Sequence, residues 1–136
     1  MAVRLENRSA STKGTAMHTS LGDMPLEMQA GEIQVHAAEW GDIYVRHIDL
    51  PAGTDFTPLL AGLPDDLCQC PHWGHVISGS ITVRYADGTE ETNRAGDLYY
   101  WPAGHTGWTD DGVVFVEFNR TTEIMPVLDH LAKQLA

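Results

Sequence analysis

Basic residues are scarce in this chain: eight Lys plus Arg stand against 19 Asp plus Glu over 136 residues, a formal charge of −11. A field of that sign repels phosphate backbones and anionic lipid headgroups, so nucleic acid and membrane surfaces are excluded as expected partners. Long apolar runs are also missing, and nothing approaches the roughly 20 residues that a membrane helix needs. The opening stretch MAVRLENRSASTKGTAMHTS holds no apolar block of the signal-peptide kind. Cysteine is limited to Cys68 and Cys70. A pair so close cannot staple a distant loop, which rules out a disulfide scaffold and makes a reducing, cytoplasmic location the expectation. Repeats and low-complexity tracts are absent, as are a nucleophile–His–acid triad and a phosphate-cradling glycine loop.

What is present is an ordinary globular composition, 43% hydrophobic and 20% charged, in a length that fits one domain with a real core. Residues 1–30, with Arg4, Arg8 and Lys13 among Ser, Thr and Gly, read as a flexible arm. From residue 31 short β-branched and aromatic runs alternate with turns. In EIQVHAA, Ile33, Val35 and Ala37 oppose Gln34 and His36. In IYVRHIDL, Tyr44, Arg46, Ile48 and Leu50 share one face, with Ile43, Val45 and His47 on the other. A long ordered loop follows from Thr54 to Asp66. HVISGSITVRYADG then supplies two strands kinked at Gly79 and a hairpin at Asp87–Gly88, and VVFVEF is a last strand. This spacing predicts an antiparallel all-β barrel or sandwich over residues 31–120. Residues 121–136 read as a C-terminal helix: in MPVLDHLAKQLA, Val127, Leu128, Leu131 and Leu135 fall at helical spacing and Pro126 suits a first helical turn. That helix is expected on the outside of the β-body or on a neighbouring subunit.

Two stretches, HWGHVISGSITV and AGDLYYWPAGHTGW, resemble the two signature motifs of the cupin superfamily. Gly96, Pro102 and Gly104 fit the second motif, and Gly79 fits the glycine that ends the first. The resemblance implies a double-stranded β-helix, or jelly-roll, barrel with a short C-terminal helix. It also places Asp66, Cys68 and His72 at the first-motif ligand positions and Gly107 at the second, where no side chain can bind metal; His105 lies two residues earlier. The three-histidine-plus-acid set of that family is therefore replaced by something else.

For CQCPHWGH, Cys68 to His75, two readings compete. Residues two apart on an extended strand have Cα atoms about 6.6 Å apart and share a metal comfortably, whereas residues four apart are about 13 Å apart. Cys70 and His72, joined across the barrel by His105, form the economical site, with Cys68, Asp66 or water as a fourth ligand. Cys68 and His72 meet only where Pro71 bends the chain. Thiolate and imidazole donors favour zinc first, with iron or copper as other choices. The competing reading has the cysteines as small buried hydrophobes and His72 as a neutral core histidine.

Other candidates follow from alternation. Tyr99 and Trp101 share a face that excludes Tyr100, and either set can wall a cavity for a small organic ligand. Arg46 is the natural anchor for a substrate carboxylate. Glu117 is a candidate proton-transfer residue with a raised pKa if buried, or else a partner for Arg46 or Arg84. The functional expectation is a small-molecule-binding cupin, homodimeric through an outer sheet face, holding a divalent metal and catalysing isomerisation, elimination or oxygenation. The rival is a binding or dimerisation module without metal.

Overall fold

In the computed structural model, which describes residues 3–5 and 17–136, the alternation seen in the sequence becomes inward and outward faces of one curved sheet. Nine strands are formed among the described residues: β1 (Val3–Leu5), β2 (Leu26–Ala30), β3 (Ile33–Trp40), β4 (Ile43–Leu50), β5 (His72–Tyr85), β6 (Glu90–Arg94), β7 (Leu98–Trp101), β8 (His105–Trp108) and β9 (Val113–Arg120). A single helix, α1 (Thr121–Leu135), follows. All pairings between these strands are antiparallel, in the order β1-β2-β3-β4-β9-β5-β6, with β7 and β8 also on β5. The molecule is an all-β cupin barrel with a C-terminal helix.

β5 organises the barrel because it serves both halves. Its first half pairs with β9 and β7 and its second with β6 and β8. The change of direction falls at Gly79, where φ is +74° and an added Cβ would sit 2.1 Å from the Gly112 carbonyl oxygen. Only glycine meets both conditions. Gly74 answers a different need. A Cβ there would lie 2.1 Å from the Val116 carbonyl oxygen and 2.2 Å from the Tyr99 hydroxyl. The bare backbone lets Tyr99 lie across β5 and donate its O–H to that carbonyl at 3.1 Å. Gly74→Ala is therefore expected to cost about 1–3 kcal/mol through overpacking, readable as a lower urea midpoint.

Inward residues of β4, β9, β5 and β7 build the core: Ile48, Leu50, Phe115, Val113, Val76, Ile81, Val83, Tyr99 and Trp101 are all buried. Part of the arm expected over residues 1–30 is sheet, since β2 pairs with β3 and β1 pairs with β2; residues 1–2 and 6–16 lie outside the described residues. A register shift between Leu26 and Met28 turns the consecutive residues Glu27 and Met28 both inward.

The helix starts at the head of the 121–136 segment, as expected, but it differs from its expectation in the position of Pro126 and in its place. It begins at Thr121, directly after β9 and tied by its N–H to the Asp42 carbonyl at 2.8 Å, so Pro126 lies inside it rather than in its first turn. It also caps one end of the barrel: Ile124, Val127 and Leu131 face Phe56 and Leu60 and line the interior cavity. No helix among the described residues is long and apolar enough to cross a membrane.

Candidate metal centre

The cavity beneath α1 has a volume of about 70 Å³ and is walled mainly by Met28, Ile48, Phe56, Ile81, Phe115 and Val127. At its polar end stand Cys68, His72 and His105, each buried. One donor atom from each lies within 4.8 Å of the other two. Cys68 Sγ is 3.5 Å from His72 Nε2, close to the ~3.6 Å that Zn–S and Zn–N bonds subtend at a tetrahedral centre.

Three separate backbone features bring these residues together. Cys68 joins the edge of β8 through an isolated bridge to His105, its N–H donating to the His105 carbonyl at 2.8 Å and its own carbonyl accepting from Gly104 at 2.8 Å. The chain then bends through Gln69–Pro71 before β5 starts at His72, so residues four apart meet after all. His105 opens β8 immediately after the Pro–x–Gly turn.

The other expected ligands sit elsewhere. Cys70 is buried in the apolar cluster that includes Tyr44 and Ile124, with Sγ directed at the Pro71 carbonyl and Asn119 Oδ1 (3.4 and 3.8 Å), outside the Cys68–His72–His105 group. The bend that brings Cys68 to His72 is what turns Cys70 away. Asp66 is exposed, its Oδ1 accepting from the Gly62 N–H at 2.9 Å.

Both imidazoles are held in one tautomer. Asn119 Nδ2 donates to the Tyr44 carbonyl (3.2 Å) and to Glu117 Oε2 (3.0 Å), which leaves Oδ1 as the acceptor facing His72 Nδ1. His105 Nδ1 donates to the Pro102 carbonyl at 2.7 Å. Each ring therefore carries its proton on Nδ1 and keeps a lone pair on Nε2, that of His72 facing Cys68 Sγ, as a metal-binding imidazole would.

Burial dominates the ionisation of these groups. It lowers the pKa of His72 against the pull of Glu117 and Asn119, and with His72 nearby it lowers that of His105 to about 4. Burial pushes the Cys68 thiol up to about 12, so without a cation it stays protonated; coordination removes that proton outright. In the metal-free protein an unfolded histidine binds a proton below pH 6.5, whereas folded His105 does not until about 4. Stability accordingly falls as pH drops through that window, by on the order of 3 kcal/mol for His105 alone. Melting temperatures of chelator-treated protein are expected to decline from pH 7 to pH 4.5 and to level off above 7.

Behind the cluster runs a buried charge network. Arg46 and Glu117 are cross-strand partners, and Arg46 Nη1 meets Glu117 Oε2 at 3.1 Å. Arg46 Nε and Nη2 reach the two oxygens of Glu27, each at 3.1 Å, and the Tyr44 hydroxyl donates to Glu27 Oε1 at 2.9 Å. Arg46 lines the cavity with its guanidinium held by two carboxylates, so it is not the uncommitted carboxylate anchor that the sequence suggested. Burial raises the Glu117 pKa, but His72, Arg46 and Asn119 outweigh it and hold the carboxyl below its ordinary value. That is the opposite of the raised value expected for a buried base.

Among the aromatics, the Tyr99/Trp101 face points inward. Trp101 lines the cavity and stacks on Tyr99 with ring centroids 4.0 Å apart; Tyr99 stands behind it. Tyr100 is outside, stacked on Trp73. Glu27 and Asn119 were not singled out from sequence. Asn119 shares the parity of Glu117 on β9 and was accessible to alternation, whereas Glu27 depends on the β2 bulge.

Fold and site together define a small cupin-fold protein with a Cys/His/His cluster. Solved structures with this fold include an RmlC-like cupin from Shewanella frigidimarina NCIMB 400, 13% identical over 79% of this chain and 92% of that one, with a TM-score of 0.57. Oxalate decarboxylase from Lactobacillus farciminis, solved as its formate complex, is 19% identical over 79% of this chain and 34% of that one, with a TM-score of 0.55. At these identities the likeness is one of fold. No protein-family model matches the sequence, and no curated protein matches it.

Proposed function

We propose that this chain binds a divalent transition metal, zinc by preference, through Cys68, His72 and His105, and that the metal faces a small organic ligand in the apolar cavity. The observation that carries this reading is a thiol and two imidazoles whose donor atoms lie within 4.8 Å of one another, each imidazole oriented by a hydrogen bond at Nδ1. One thiolate and two imidazoles suit zinc, iron or copper(I) and leave a fourth position open.

A bound zinc supplies Lewis acidity and acidifies a coordinated water. The chain's own residues orient and exclude solvent. Asn119 fixes His72, Phe56 and α1 cover the ligand, and Trp101 walls one side. Glu117 and Arg46 neutralise one another and anchor Asn119, a positioning role in place of proton transfer. Tyr99 spends its hydroxyl on Val116, and burial raises its pKa. Metal-assisted isomerisation, elimination or oxygenation of a small molecule remains the reaction class we assign. The test is elemental mass spectrometry on tag-free protein purified without chelator, which should find about one zinc, iron or copper ion per chain and none in His72→Ala.

We also infer a homodimer. Outward-facing Phe118, Trp73 and Tyr100 are consecutive cross-strand partners over β9, β5 and β7, flanked by exposed Ile43, Ile77 and Leu98. An apolar sheet face on a strongly acidic protein favours a second copy over a polyanion. Light scattering should give twice the chain mass, and a Phe118→Glu/Tyr100→Glu double variant the monomer mass.

A further inference from the structure

Resting on the metal reading above, we infer that this site selects a neutral ligand of a few non-hydrogen atoms, bound through one donor atom, and rejects carboxylates and other anions. Charge balance carries the inference. Among the described residues, the charged side chains at the cavity are Arg46 and Glu117, with Glu27 directly behind them, all buried and in mutual contact. Their single positive charge against two negative ones leaves one negative charge in the wall. A divalent cation with the Cys68 thiolate contributes one net positive charge. The loaded site is thus neutral before any ligand arrives, and a bound anion would leave a buried charge with no counterion, a costly arrangement in a medium of low polarity.

Polarity and size sharpen the class. The Thr106 hydroxyl is paired with that of Thr57 at 2.8 Å, and Trp101 Nε1 donates to Asn93 at 2.9 Å. The remaining wall is mainly aliphatic and aromatic, so the metal's open position is the principal polar contact on offer. A volume of about 70 Å³, at about 10–15 Å³ for each water-sized position, admits a small molecule of up to about five to seven non-hydrogen atoms. Short alcohols, aldehydes and amides meet these terms; formate, the ligand in the L. farciminis oxalate decarboxylase structure, matches the size but has the wrong charge.

Isosteric pairs isolate the charge. The full chain is loaded with cobalt(II), and its visible absorption is titrated with formamide against formate and with acetamide against acetate. The amides are expected to shift the bands at concentrations at least about tenfold below their carboxylates. Carboxylates that act at equal or lower concentrations, or four ligands without effect, would overturn the inference while leaving the metal site intact. A chain that takes up neither cobalt nor zinc overturns the metal reading and this inference with it. Glu27→Gln removes one buried negative charge at nearly constant shape. Where circular dichroism shows that it folds, it should bind formate about tenfold better, and unchanged formate binding would count against the charge argument.

Discussion

Replacing Arg46 by Met should lower the stability of the folded chain by about 3–5 kcal/mol, because it leaves Glu27 and Glu117 buried without their cation. For a domain of this size that corresponds to a fall of about 10–20 °C in melting temperature. Both carboxylates are almost wholly removed from solvent, at 7% and 3% exposure; beside Arg46, the basic group near either is His72, whose Nδ1 lies 3.6 Å from Glu117 Oε1 and whose own pKa is lowered by burial. The loss also spreads, since Glu117 Oε2 accepts from Asn119, which in turn orients His72. Arg46→Lys should recover only part of it. An ammonium is a point charge and cannot span Glu27 and Glu117 with the three nitrogens that the guanidinium uses. Thermal melts of the three proteins at pH 7 make the measurement. Equal stability of Arg46→Met and the wild type would mean that the carboxylates protonate or reach water without cost.

The two cysteines should behave in opposite ways. Cys68→Ala removes a donor 3.5 Å from His72 Nε2 and should weaken zinc binding by well over the ~100-fold that outer-shell changes cost. Cys70→Ala removes a buried side chain from the apolar cluster shared with Tyr44 and Ile124 and should leave zinc affinity within about tenfold of wild type, its principal effect being on stability. Competition against a fluorescent zinc chelator measures both. A reversed order would place the metal on the Cys70 side, against Asn119.

How the sequence relates to this result differs from element to element. Inward Tyr44, Arg46, Ile48 and Leu50 on β4, and Val113, Phe115 and Glu117 on β9, follow directly from period-two alternation. The barrel's glycine and proline punctuation was readable because Gly79 marks a place where the backbone excludes any side chain. The choice between Cys68 and Cys70 was not readable. Parity along an extended strand favours Cys70 with His72, yet the deciding contact is the long-range bridge from Cys68 to His105, which no local pattern encodes. Glu27 was hidden for a related reason, since a bulge breaks the parity that would have pointed it inward. The helix could be located by its apolar spacing, but its place over the barrel mouth depends on Thr121 following β9 without a linker.

The central claim is that a metal sits on Cys68, His72 and His105, and cobalt(II) absorption tests it most directly because it reports ligand identity together with uptake. Reduced wild-type protein and Cys70→Ala should each take about one cobalt ion per chain and show a thiolate-to-cobalt charge-transfer band with the intense visible bands of a four-coordinate site. Cys68→Ala should lose the charge-transfer band. Folded wild-type protein that develops no such band, or a band that disappears with Cys70 and survives without Cys68, would contradict the account.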